Sequence, residues 1–433
     1  MRGNASLPGM GDVVALLVGM LLLAFIPLSV RAQAAPQAFE YDLLIIGGHV
    51  IDPKNAMDGH MDVAITNGRI ARVAAQISES TARRVIVARG LYVVPGLVDM
   101  HGHTYYGTRP RSDYSNGFNA IEPDGFTFRS GVTTIVDAGG AGWREFHVFK
   151  EQVIDRAQTR VLAFINIVGS GMRGGEFEQD LNDMDPQWTA ETAARYEEIV
   201  GVKLAHFVGH NWEPVHRAVA AGKRAGIPVM VDFGSADPPL PLEMLLLEKL
   251  RPGDIFTHTY ARLRSREAIV DENDSLRPFV LRARERGIVF DVGHGASSFN
   301  FLTAIPAIRQ GLKPDTISTD LHRNSMNAGM KDLLNVASKF LNLGMSLPEV
   351  IRAMTWSPAR VIQRENLGHL TEGAEADLAV LRMREGEFGF LDARPGSRMT
   401  GTRRLEAELT VRAGRIVWDL NGISAPLWNA PEQ

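Results

Sequence analysis

The sequence predicts an α/β protein: a (β/α)8 barrel of the TIM type, with a small β-sandwich domain built from both chain ends. Three observations predict it. Short β-type runs punctuated by glycine turns occupy both ends of the chain, while the middle alternates apolar runs with amphipathic segments. Eight such strand–helix repeats can be counted in the middle. Most of the apolar runs finish on a metal-ligating or titratable residue.

Taken in order, residues 13–30 are nearly all apolar, preceded by Arg2 and followed by Ala32-Gln33-Ala34. That is the anatomy of a secretory signal peptide over residues 1–34, cleaved before Ala35, with an uncleaved anchor as the competing reading. It predicts a periplasmic or secreted protein with no stable membrane span after removal of the signal. The runs Tyr41–Ile45, Val50–Ile51, Met61–Ile65, Ile70–Val73 and Arg84–Val87 are separated by Gly47-Gly48, Asn67-Gly68 and Arg89-Gly90. They read as an antiparallel sheet over residues 38–92. Similar texture returns at Asp377–Leu381, Ala407–Val411 and Arg415–Trp418, within 368–425, and both parts are assigned to one domain.

Residues 93–367 hold the barrel. Its strands are expected at Leu91–Asp99, Val132–Asp137, Val161–Val168, Val202–Ala205, Pro228–Asp232, Asp254–Thr257, Ile288–Val292 and Thr316–Thr319. Helices are expected at Thr189–Ile199, Trp212–Ala225, Leu240–Leu250 and Leu276–Arg286. A doubly wound sheet is the alternative, but no glycine-rich phosphate loop follows a strand here.

Composition narrows the function. The 433 residues are 45% hydrophobic and 22% charged with net charge -4, a globular chain with no basic stripe for nucleic acid. There is no cysteine, so disulfides, zinc–thiolate sites and cysteine nucleophiles are excluded. Any metal must be held by His, Asp, Glu or a modified Lys. A small-molecule substrate fits this composition, and a homo-oligomer is not excluded by it.

The most informative stretch is Pro95-Gly96-Leu97-Val98-Asp99-Met100-His101-Gly102-His103. In an extended strand residues i and i+2 share a face, so two imidazoles project together as ligands for a borderline metal. The other predicted strand ends supply Asp137, Lys203, Asp232, His258, His294 and Asp320. Twelve histidines placed at random would not fall this way.

With Gly131–Gly139, Gly201-Val202-Lys203, Asp254–His258, Ser318-Thr319-Asp320 and Gly373–Leu378, this pattern resembles the amidohydrolase superfamily, from about Tyr41 to Gly422. The resemblance is greatest to its deacetylase branch, grouped with D-aminoacylases and dihydroorotases. It implies two divalent metal ions, zinc or manganese. His101 and His103 would hold the first, carboxylated Lys203 would bridge both, and His258 would hold the second. Asp320 would bind the first metal and act as general base and then acid toward a metal-bridging hydroxide. An unmodified Lys is a cation and cannot be a ligand. His294, between Gly293 and Gly295, would contact substrate or an oxyanion, against a plain loop histidine bonded to backbone.

The chain departs from the pattern at Asp232, where the superfamily usually has a histidine ligand. Asp232 could replace it, His206 or His210 could supply the nitrogen, or the second site could be weak or empty. Arg109, Arg111, Arg173 and Arg323 lie in loops on the expected active face, where one could clamp a substrate carboxylate. The implied activity is hydrolysis of an amide or ester in a small acylated substrate, such as an N-acyl amino acid. Ring opening of a cyclic amide is the runner-up, and an exported binding protein without catalysis is the reading from another class.

Overall fold

The computed structural model describes residues 39–109, 114–232, 236–393 and 397–429. The expected signal peptide lies outside the described residues, as does Arg111.

Strands β1 (Leu43–Asp52), β2 (Met57–Thr66), β3 (Arg69–Ala74), β4 (Val85–Val87) and β5 (Tyr92–Pro95) open the chain. After them come β6 (Leu97–Gly102), β7 (Val132–Gly142), β8 (Arg160–Asn166), β9 (Ile199–Ala205), β10 (Val229–Asp232), β11 (Ile255–Phe256) and β12 (Val289–Phe290). Strands β13 (Leu378–Leu391), β14 (Arg398–Arg412) and β15 (Arg415–Asp419) close it.

Two sheets result. One has the order β15-β14-β13-β5-β1-β2-β3, with β4 on β1, so strands from both ends of the chain share a single hydrogen-bonded sheet. Its seam is the antiparallel pairing of β5 with β13, Val93 opposite Val380. Side chains of β1, β5, β13 and β14 bury one apolar face, with Ile45, Val50, Val93, Leu378 and Leu409 at 0% exposure.

The other sheet is parallel, in the order β12-β11-β10-β9-β8-β7-β6. Both of its faces are covered, and β6, β7 and β9 are buried along their whole length. Residues 316–321 form no continuous strand, yet they bridge both edges of this sheet. Asp291 pairs with Thr316 and Gly102 with Leu321, both in parallel.

The run expected as one strand, Leu91–Asp99, is cut at Gly96 into β5 and β6, which belong to different sheets. The reason is space: a Cβ on Gly96 would lie 2.2 Å from Thr133 Oγ1 and 2.9 Å from Asp377 Cβ. The chain crosses between the sheets at a point that admits no side chain.

Candidate active site

Parallel strands end on one face, so the residues that follow them converge. His101 lies in β6 and His103 directly after it, both buried, with ring centroids 5.7 Å apart. Asp320, on the segment that bridges the sheet edges, brings Oδ1 to 2.9 Å from His103 Nε2 and 3.7 Å from His101 Nε2. Among the described residues, His101, His103 and Asp320 are the trio whose ligand atoms all lie within 4.8 Å of one another. Burial pushes the Asp320 carboxyl upward, but His322, His101 and His103 together hold it well below the usual carboxylate range.

His101 is fixed from behind. Its Nδ1 is 3.0 Å from Thr257 Oγ1 and 3.6 Å from Asp291 Oδ2. Asp291 in turn accepts from the hydroxyls of Thr257 and Thr316 at 2.7 Å and of Ser318 at 2.8 Å. A carboxylate behind one ring nitrogen aims the other inward as a lone pair. Burial, and next the charge of Lys203, press the His101 pKa down to about 3, so the ring is neutral. Gly293 makes room: at φ 46 a Cβ would lie 2.4 Å from Thr257 Oγ1 and 3.0 Å from His101 Nδ1.

Lys203 is 1% exposed at the end of β9. Its Nζ meets only His101 Nε2 at 3.3 Å and Met230 Sδ at 3.5 Å, and no described carboxylate lies within 4.0 Å. Burial lowers its pKa. An imidazole nitrogen and a thioether are a poor shell for a buried ammonium.

A second cluster adjoins the first, with the His258 ring 5.0 Å from that of His101. His258 Nδ1 is 2.6 Å from Gly293 O, and Nε2 is 3.3 Å from Asp232 Oδ2. Arg266 donates to Asp232 Oδ1 at 3.0 Å. Burial raises the Asp232 carboxyl, yet His258 and Arg266 outweigh it and hold the group well below its ordinary value. His206 pairs with buried Glu178 at 2.8 Å and stands 3.6 Å from Asp232 Oδ2. His210 is exposed.

His294 is placed differently from the expectation. It is fully buried, stacked on Phe299 at 4.6 Å, with Nδ1 on Gly295 O at 2.9 Å and Nε2 on Lys339 Nζ at 2.6 Å. Neither ring nitrogen is left for substrate, so its role here is in packing. Asp137 is likewise structural, since its carboxylate accepts the backbone N–H groups of Thr104, Tyr105 and Gly140. His322, by contrast, lies beside the trio, 3.8 Å from Asp320 Oδ2. His49, His60 and His369 belong to the end-sheet region, and His147 and His216 are exposed on helices.

Arg109, Arg173 and Arg323 line one cavity of about 260 Å3 with Phe118 and Phe177. Phe118 sets its edge 5.8 Å from the His206 ring, which puts this cavity next to the clusters. Glu145 grips Arg109 with both oxygens at 2.7 Å. A larger cavity, about 660 Å3, lies at the opposite ends of the strands around Pro228, Asp254, Ile288 and Asp315, away from both clusters.

Sequence reasoning missed Asp291, Thr257, Arg266 and Glu178. The first two lie inside expected strands, and only the fold shows what they face.

A family model described as "Amidohydrolase family" matches residues 280–414. The chain is 35% identical over 350 residues to a deacetylase of Agrobacterium fabrum, covering 78% of this chain and 83% of that one. A crystal structure of an adenine deaminase superposes with TM-score 0.78 at 29% identity, covering 88% of this chain and 100% of that chain. A crystal structure of a dihydroorotase superposes with TM-score 0.76 at 30% identity, covering 87% and 99%.

Proposed function

The chain belongs to the amidohydrolase superfamily, and from that premise we propose that it hydrolyses the acyl bond of a small N-acyl or O-acyl carboxylic acid with two divalent metals. Membership makes it a hydrolase acting on carbon–nitrogen bonds. The observation that carries the reading is the convergence of His101, His103 and Asp320 at the strand ends, next to a fully buried Lys203.

The donor set fits such metals. Imidazole nitrogens and carboxylate oxygens suit zinc or manganese, and His101 is already held with one nitrogen inward. His101, His103 and Asp320 would hold the first metal, His258 and Asp232 the second. Lys203 would join both once carboxylated, which also removes its unshielded charge. When bound, the metals polarise the scissile carbonyl and lower the pKa of the attacking water.

The rest falls to the chain's own groups. Asp320, set between His103 and His322, takes the water's proton on Oδ2 and returns it to the leaving nitrogen or oxygen. Arg173 and Arg323 orient the substrate carboxylate from the adjoining cavity, whose Phe118 and Phe177 cover its apolar part. On the same reading residues 93–367 form a closed (β/α)8 barrel, 38–92 and 368–425 the end domain, and 1–34 an export signal to the periplasm or medium.

The test is a screen of N-acetyl amino acids of both hands, dipeptides, acyl esters and cyclic ureides with zinc or manganese added. Acylated carboxylic acids should turn over fastest. Metal-loaded protein that hydrolyses none of them would overturn the proposal. Preference for cyclic ureides would give the ring-opening reading, which the dihydroorotase likeness favours.

A further inference from the structure

Asp232 stands where the superfamily pattern has a histidine, so it adds a negative charge to a centre that already contains Asp320 and Asp291. The structure pairs that charge. Arg266, 8% exposed on the loop after β11, donates Nη2–H to Asp232 Oδ1 at 3.0 Å, with its guanidinium 5.4 Å from the Phe256 ring centroid. With Oδ1 held, Oδ2 is turned toward His258 Nε2, 3.3 Å away.

The His258 ring is fixed in the same sense, because Nδ1 donates to Gly293 O at 2.6 Å and leaves the lone pair on Nε2. Two electron-pair donors, each tethered from behind, repel unless a cation lies between them. Bonds of about 2.0–2.1 Å in a tetrahedral zinc site set neighbouring ligand atoms about 3.3 Å apart. A proton on Nε2 would satisfy the same distance, and metal content separates the two cases.

We propose that Asp232 and Arg266 act as one unit, in which Asp232 Oδ2 ligates the second metal and Arg266 is a positioning residue that aims the carboxylate and cancels its charge. The pair thereby replaces a neutral histidine ligand. This rests on the two-metal reading of the site.

The experiment compares the parent with Arg266→Leu, Asp232→His and the double variant. Each is loaded with manganese or zinc, freed of excess by gel filtration and assayed for metal per chain. Thermal unfolding of the metal-free forms is measured beside it. The parent should hold two metals. Arg266→Leu should hold one, with affinity at the second site at least tenfold weaker. Asp232→His alone takes the carboxylate away from a buried guanidinium and should melt lowest. The double variant should regain two metals and melt above both single variants.

Two metals bound at parental affinity by Arg266→Leu would overturn the pairing. So would a double variant that fails to fold, or that matches Asp232→His in metal and stability. If Arg266→Leu does not fold, the double variant decides alone. A parent with one metal overturns the inference and leaves a one-metal hydrolase. A parent with none removes the two-metal reading and the inference with it.

Discussion

Asp320 sits at φ 53, a backbone conformation in which its carboxylate faces His101 and His103 while Gly295 clears space beside Oδ2. Asp320→Asn keeps an oxygen for the metal but cannot take a proton. Turnover should fall by about two to four powers of ten with metal content unchanged, as read by steady-state rates and elemental analysis. Lys203→Ala should lose both metal and activity, and short carboxylic acids should restore part of each by filling the space of the carbamate. Full metal content without such acids would contradict its role. The residues at strand ends were legible because each follows an apolar run whose period fixes its direction. Asp291 and Arg266 were not, since their partners come from other strands and loops. His294 misled because flanking glycines suggest access, whereas the stack on Phe299 and the bond to Lys339 seal it.

Among elements, the helix Leu333–Asn342 does more than pack against β14. Its Lys339 is fully buried and donates to Gly329 O and Leu391 O at 2.8 Å, so it ties the end of β13 to a loop after the Asp320 segment. Burial lowers its pKa to about 7. An unfolded lysine titrates near ~10.4, so the folded state binds this proton less tightly and gains stability as pH rises from about 7 toward 10. Urea midpoints of the parent should climb over that interval. Those of Lys339→Met should start lower, for lack of the two carbonyl bonds, and stay flatter. A parallel climb in both would assign the pH dependence elsewhere. Element types were legible where the apolar period was long, as in Glu213–Ala225. They were less so at Leu240–Leu250, which breaks into a short α turn and a π turn, and at Thr316–Thr319, which only bridges.

At the scale of the whole molecule, the two sheets are joined at the end opposite the chemistry. Asp377 accepts from Arg160 at 2.7 Å, from Arg412 at 3.2 Å and from the backbone of Ala413 at 2.8 Å. Asp377→Ala leaves both guanidinium groups without this partner and should cost about 1–3 kcal/mol in chemical unfolding. The rate per folded molecule should be unchanged, and a loss of turnover at full stability would overturn that separation. The shared end sheet was legible from the likeness of the two β-rich ends, but the crossing at Gly96 was not, because its cause lies in Thr133 and Asp377. The seam between β5 and β13 also sets a timetable for synthesis. A ribosome adds about 5–20 residues per second, so β5 waits on the order of tens of seconds for the strand that will cover it. Through that interval Val93 and Val94 lie on an open edge able to pair with any neighbouring chain. A messenger truncated before Leu378 should therefore yield aggregates rather than a smaller folded protein.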